Sequence, residues 1–245
     1  MSLQNRVILI TGAAGGLGST AALTLAKAGA QIILLDKNLP KLETVYDQIL
    51  ANGGVEPIIY PFDLAGASEN DYEELAQRID EKYGALHGLL HSAVEFSSFT
   101  PLIQFGIKAW GHTFNVNVHA PFLLTRVLLP VLQKAPHASI VFTSDSSARL
   151  APAYSGAYGV SKVALEGLAH VLAEELEGAG KIRVNILIPS PVDSPLRKRA
   201  YPAEDKTQLP PMTVLEPIYQ YLFCDDSLGV TGQTIDAHTF HSHIS

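Results

Sequence analysis

The chain has 245 residues, 47% of them apolar and 17% charged, with a formal net charge of −7 at pH 7. That length suits one large domain with a full core, the apolar content excludes a disordered chain, and an acidic balance with no basic stripe argues against nucleic acid as a partner. The one cysteine, Cys224, excludes an internal disulfide and fits a reducing compartment, so the expected location is cytoplasmic. The opening residues, Met1 to Arg6, lead into an apolar strand and do not read as a signal peptide. No apolar run is read as approaching the roughly 20 residues that span a bilayer, so no membrane association is expected.

Strand-like and helical patterns alternate from end to end. Residues 6–11 read as a buried strand and 16–28 as a helix, then 31–36 as a strand and 39–52 as a helix. Strands are expected at 55–61 and 86–92, with a helix at about 69–83 between them. One long helix at about 108–133 precedes a strand at 138–144, and a helix at 156–178 precedes a strand at 182–188. A helix near 213–224 and a short strand near 233–236 close the chain. Such β-α repetition implies a single α/β domain over 1–245: a doubly wound, parallel Rossmann-type sheet with helices on both faces. The stretch 189–211, rich in proline and charge, falls at the carboxyl ends of the strands, where ligands bind in such sheets.

The first strand-to-helix turn reads Thr11-Gly12-Ala13-Ala14-Gly15-Gly16-Leu17-Gly18. Glycines there let the backbone turn sharply and approach a pyrophosphate, and the helix start offers unpaired N–H groups. The plain alternative is a glycine-rich turn with no ligand. Asp36 ends the second strand, 18 residues after Gly18. A carboxylate at that point accepts the ribose hydroxyls of NAD and repels a 2′-phosphate, so NAD is favoured over NADP, although Lys37 offers a cation to such a phosphate. Asp63 and Leu64 follow the third strand and are placed near the adenine; the plain role of Asp63 is a turn cap.

Tyr158 and Lys162 stand four residues apart in one helical pattern and share a face. At about 4 Å and an effective dielectric of 20, the lysine charge is worth roughly 4 kcal/mol to a phenolate, or about 3 pKa units. That is enough to bring a phenol toward neutrality as an acid or base. Taken alone, Tyr158 reads as a packing residue and Lys162 as a solvated one.

Together these motifs resemble the short-chain dehydrogenase/reductase family over nearly the whole chain. The glycine turn matches its TGxxxGxG, and Tyr158 with Lys162 matches its YxxxK. Asn117, in FNVNVHAPF, aligns with its helix asparagine, and the segment Pro189 to Ser194 stands at its PGxVxT. Thr231 to Asp236 is similar to its closing motif. The stretches SIVFTSDSS, AYPAEDKTQL and FCDDSLGVTGQTIDAH look most like a bacterial subgroup, the YciK-like oxidoreductases. The resemblance implies a sheet of about seven strands in the order 3-2-1-4-5-6-7. It implies a dinucleotide held by Gly12, Gly15, Gly16, Leu17, Gly18, Asp36, Asp63, Leu64, Ala93, Val192 and Ser194, with Tyr158 and Lys162 at the nicotinamide end. It implies Tyr158 as the proton donor or acceptor, Lys162 on the nicotinamide ribose, and Asn117 holding a water that connects Lys162 to solvent.

Three departures stand against the family pattern. NNAG after the fourth strand reads His91-Ser92-Ala93-Val94, which puts methyl groups where the backbone approaches the cofactor. PG after the sixth strand reads Pro189-Ser190, which implies an altered loop geometry. The family's catalytic serine precedes the tyrosine by 13 residues, and that position is Asp145, flanked by Ser144 and Ser146. A hydroxyl there donates to the developing oxyanion, and an ionised carboxylate does not. Ser146 is therefore expected to supply the hydroxyl; the alternatives are a protonated Asp145 acting as donor and an Asp145 that only caps a turn.

The helix at 156–178 is apolar on more than one face, which suggests burial against another copy as a homodimer or homotetramer; the bland alternative is packing against the helix at 108–133. His238, His241 and His243 read as a solvated tail, and no metal is expected. Arg197, Lys198 and Arg199 read as a solvated run, or as contacts to an acidic substrate, and Trp110 as packing. The combined expectation is an NAD(P)-dependent oxidoreductase that moves a hydride between nicotinamide and a small carbonyl/alcohol pair. Its rival is a dinucleotide-binding protein with a degenerate site and little hydride chemistry. Epimerisation or dehydration with the same cofactor is a third option.

Overall fold

The computed structural model describes residues 2–240. Seven strands, β1 (Val7–Thr11), β2 (Gln31–Asp36), β3 (Ile58–Pro61), β4 (Gly88–His91), β5 (Ala138–Thr143), β6 (Ile182–Ile188) and β7 (Thr234–Asp236), form one parallel sheet in the order β3-β2-β1-β4-β5-β6-β7. This is the expected fold and strand order. β1, β4, β5 and β6 are buried at every position, as strands covered on both faces must be.

Alternation along the strands feeds two cores. Leu9, Leu89, Ile140 and Val184 face one side, where they pack with Leu75 of α3 (Glu69–Tyr83), Leu124 and Leu128 of α5 (Ala120–Leu132) and Leu165 of α7 (Gly156–Glu177). Ile8, Ile10, Leu90 and Val141 face the other side. There they pack with Leu25 of α1 (Gly16–Lys27), Leu42 of α2 (Leu39–Ala51) and Tyr219 of α9 (Glu216–Phe223). The strand order reverses between β1 and β4, and the crevice above that point is where a ligand is received.

The long helix expected at about 108–133 is broken. It runs as α4 (Ile107–Phe114), then one π-helical segment, Asn115–His119, then α5. A π segment adds a residue to the turn and redirects side chains, and such bulges gather at functional sites. Asn117 sits at its centre. Taken as one segment, Ile107–Leu132 is long and apolar enough to cross a membrane, contrary to the reading of the sequence. Half of its most apolar stretch is buried, with Leu124, Leu128 and Leu132 in the core of this domain. The stretch 189–211 is also more ordered than a loop: Ser194 accepts from the Arg197 N–H and caps a short helix, α8 (Pro195–Ala200). A shorter helix, α6 (Ser147–Leu150), follows β5.

Candidate active site

Thr11 begins the site. Its hydroxyl oxygen accepts from both the Ser92 and Ala93 N–H groups at 3.1 Å, so the end of β1 clamps the segment that leaves β4. Gly12 is left-handed, φ +67°, and a Cβ there would stand 2.7 Å from Ala93 Cα. A Cβ on Gly18 would stand 2.2 Å from the Gly12 carbonyl oxygen. The glycines thus serve a turn too tight for any side chain, and they leave a bare cradle at the start of α1. A cavity of about 610 Å³ opens beside it, lined by Gly12, Gly15, Asp36, Asp63, Leu64, Ala93 and Val94, among others. Asp36 accepts from Ala14 N–H at 3.3 Å and from Asn38 N–H at 2.9 Å, so its carboxylate is anchored at the glycine turn. Lys37 is exposed on the same rim. Asp63 lines the cavity and also bends its own turn by accepting from Ala65 N–H at 3.2 Å.

A second cavity, about 990 Å³, shares Ser92 and Val94 with the first, so the two form one cleft. Cradle, anchored carboxylate and cleft together fit a dinucleotide. Val94 stands at the neck between the lobes. Leu17, Val192, Ser194, Tyr158 and Lys162 line the second lobe. Gly16 faces outward from the cradle: a Cβ there would lie 2.7 Å from Pro195 and 2.8 Å from Met212, so the segment after β6 rests on the start of α1.

Tyr158 and Lys162 lie on the first turns of α7, both buried. Lys162 Nζ donates to the Thr143 carbonyl at 2.8 Å and stands 5.8 Å from the centre of the Tyr158 ring. The Tyr158 turn is held from behind. Ser161 Oγ donates to the Tyr158 carbonyl at 2.7 Å, and Asn117 Nδ2 donates to Ser161 Oγ at 2.9 Å. Asn117 also grips Glu95: its Oδ1 accepts from Glu95 N–H at 2.7 Å and its Nδ2 donates to the Glu95 carbonyl at 3.0 Å. Its side chain is therefore a clip between the β4 exit and α7. Both polar atoms of that side chain have protein partners.

The electrostatics also run against expectation. Burial, and after it the nearby charge of Asp145, push the Tyr158 phenol well above its usual range. Burial lowers Lys162 to about 8, with Asp145 and Glu166 opposing the shift. The charge of the lysine alone does not set the sign, because desolvation by burial is the largest effect on the phenol. Asp145 is half-buried just past the end of β5 and lines the same cavity as Tyr158. Its Oδ1 accepts from Ser147 N–H at 2.8 Å. Ser146, chosen above for the hydroxyl role, is exposed and precedes α6; it reaches only the cavity lining. Ser144 is buried and donates to Glu166 Oε1 at 2.6 Å.

Ser190 corrects the expectation of an altered loop. It keeps a glycine-like φ of +62°, and its hydroxyl donates to Asp236 Oδ1 at 2.8 Å. Lys198 and Arg199 are exposed, as a solvated run would be, and each cation of the run has a partner within the fold. Arg197 pairs with Glu204 at 2.6 Å and stacks on Tyr201, Lys198 pairs with Asp193 at 2.9 Å, and Arg199 donates to the Phe96 carbonyl. The residues that reading the sequence missed are an apolar wall: Phe96 edge-on to Tyr158 at 5.3 Å, Phe99, Tyr201 and Leu196. Their one signal is position, on the loops after β4 and β6. His241 and His243 lie outside the described residues.

Comparison with known proteins agrees with this geometry. The family model for short chain dehydrogenases matches residues 6–205. An uncharacterized oxidoreductase, YciK, of Escherichia coli K12 is 40% identical over 96% of this chain and 92% of its own length. A short chain dehydrogenase of Shigella flexneri, solved with NADP, superposes with TM-score 0.93 at 39% identity, covering 96% of this chain and 98% of that one. Another from Escherichia coli CFT073, solved with NADPH, superposes with TM-score 0.92 at 40% identity, covering 96% and 97%. The expectation of NAD in preference to NADP finds no support in those two complexes. With its glycine cradle, its Tyr158–Lys162 turn and this likeness over almost its whole length, the chain belongs to the short-chain dehydrogenase family of NAD(P)-dependent oxidoreductases.

Proposed function

We propose that the protein reduces a small carbonyl compound with an apolar flank, or oxidises the matching alcohol, at the Tyr158 end of the cleft. The single observation that carries this reading is the shared cavity: Tyr158 and Lys162 open onto the same lobe as Val192 and Ser194, next to an aromatic wall. Gly12, Gly15, Asp36 and Ala93 would hold the adenosine and pyrophosphate end, and Lys162, Val192 and Ser194 the nicotinamide end. When bound, the cofactor supplies or takes the hydride. Tyr158 holds the proton at Oη and gives it to the substrate oxygen. Lys162, fixed by the Thr143 carbonyl, steadies the phenolate left behind. Phe96, Phe99 and Tyr201 exclude water from the reacting oxygen.

Asp36 supports NAD, because an anchored carboxylate repels a 2′-phosphate. A second reading, NADP, is favoured by the two relatives solved with NADP and NADPH, and Lys37 is the cation that would meet the phosphate. Paired fluorescence titrations with NADH and NADPH separate them: tighter NADH binding, weakened about tenfold or more in Asp36→Ala, is expected under the first reading. Tyr158→Phe should leave that binding within about threefold and cut carbonyl reduction by about 10²-fold or more. Undiminished turnover in that variant would sink the mechanism. Binding without turnover across a panel of ketones, aldehydes and alcohols supports the rival, a cofactor-binding protein. We also propose self-association through the outer faces of α5 and α7, where Phe122, Val163 and Val171 remain exposed; light scattering that returns a monomer mass overturns it.

A further inference from the structure

The lobe that Tyr158 opens onto carries an excess of negative charge. Asp145, just past the end of β5, lines it; its Oδ1 accepts from the Ser147 N–H at 2.8 Å, and among the described residues no donor reaches its Oδ2 and no cation pairs with it. The cations nearby are engaged elsewhere. Arg197 is held by Glu204 through two hydrogen bonds, at 2.8 and 2.6 Å, and Lys162 donates to the Thr143 carbonyl. Asp236, the other carboxylate on the lobe, accepts from the Ser190 hydroxyl and the His238 N–H. Lys162 and Arg197 thus stand against Asp145, Asp236 and Glu204. The rest of the wall is aromatic: Phe96 lies edge-on to Tyr158 with ring centres 5.3 Å apart, Phe99 is 5.1 Å beyond it, and Tyr201 is 5.2 Å beyond that. Ring faces attract a cation and pack well against another ring. An unpaired carboxylate in such a lobe favours a cationic guest and repels an anionic one.

We propose that the substrate is an aryl amino alcohol or the matching amino ketone: an ammonium on the carbon next to the reacting one donates to Asp145, and the ring lies against Phe96, Phe99 and Tyr201. The assignment rests on the hydride-transfer reading above and narrows its substrate class. A substrate whose oxygen meets Tyr158 brings the group on the neighbouring carbon toward Asp145, because the two residues share the lobe and the Asp145 charge is felt at both the phenol and Lys162. The ammonium takes no part in the transfer and keeps its protons. In the oxidation, the hydroxyl proton passes to the Tyr158 phenolate and the hydride goes to the oxidised dinucleotide, which leaves the ketone. Asp145 is thus a specificity residue: it holds the substrate and handles no proton.

Initial rates in the full-length protein, at neutral pH and saturating oxidised dinucleotide, compare alcohols of one shape and different charge: 2-amino-1-phenylethanol, a cation; 1-phenylpropan-1-ol, neutral; and mandelate, an anion. Their kcat/KM should fall in that order, by about tenfold or more at each step. Asp145→Asn and Asp145→Ser remove the charge, and each should cut the ratio of the cation to the neutral alcohol about tenfold. The oxidised nicotinamide is common to all the alcohols, so an effect of Asp145 on the dinucleotide alone cancels from that ratio. 1-Aminopropan-2-ol, which keeps the ammonium and lacks the ring, should be about tenfold poorer than its phenyl counterpart. A preference for the neutral alcohol, or a ratio unmoved in both variants, overturns the amine site; equal rates with and without the ring overturn the aryl half. If no alcohol is turned over, the oxidoreductase reading fails, and calorimetry with 2-phenylethylammonium still decides the fate of Asp145. Binding that weakens in both variants supports the amine site, and equal binding overturns it.

Discussion

Ser190 stands where the backbone has turned left-handed, a conformation that costs a non-glycine residue about 1–2 kcal/mol. The hydrogen bond to Asp236 offsets about 1 kcal/mol of that. The two halves of this balance can be separated. Ser190→Gly removes the strain and the bond together, so its stability should change by less than about 0.5 kcal/mol. Ser190→Ala keeps the strain and loses the bond, and should cost about 1–2 kcal/mol in urea unfolding. Tyr158 and Lys162 show a different lesson at the same scale. Their spacing was legible, because a helix brings i and i+4 together whatever surrounds them. The sign of the phenol's shift was not, since it depends first on how deeply the ring is buried.

At the scale of elements, the β1 turn and the π segment are matched devices. Thr11 grips Ser92 and Ala93, and Asn117 grips Glu95, so the residues around Val94 are fixed from both sides of the cleft. Asn117→Ala removes three hydrogen bonds, one buried and two part-buried, the latter two to the Glu95 backbone. It should cost about 2–4 kcal/mol and weaken dinucleotide binding several-fold more than it slows the bound enzyme. Equal loss in binding and in kcat would instead place Asn117 in the chemistry. The π segment escaped the reading of the sequence because its apolar pattern runs on without a break. Only packing against two neighbours fixes where an extra residue is absorbed. The helices after β5 and β6 escaped for a related reason: four and six residues are too few to show a period.

For the whole molecule, His91 links the core to pH. It is fully buried at the end of β4, stacked on Phe142 at 4.6 Å, with Nε2 2.9 Å from Thr125 Oγ1. Burial lowers its pKa to about 3. The unfolded chain, with an ordinary histidine near 6.5, therefore binds the proton first. Its contribution is fully present above about pH 6.5 and is lost as pH falls toward about 3, by an amount on the order of a few kcal/mol. Urea unfolding at pH 4 and pH 7 should show that loss. His91→Phe, which keeps a ring on Phe142, should show a difference between the two pH values smaller by about 2 kcal/mol or more. An equal loss in both proteins would assign the acid sensitivity elsewhere.

The sequence by itself determined the parallel sheet, the glycine cradle and the Tyr158–Lys162 pair. Each rests on local pattern: apolar periodicity, turn chemistry, or a spacing that one helix enforces. The tertiary structure alone decided which groups meet across elements. It put Asp145 on the same cavity as the phenol, turned Asn117 into a clip, paired the basic run and held Ser190 in a glycine's conformation. Those outcomes depend on burial and on partners distant in the chain, and electrostatic effects in a dry pocket follow the surroundings of a group more than its identity.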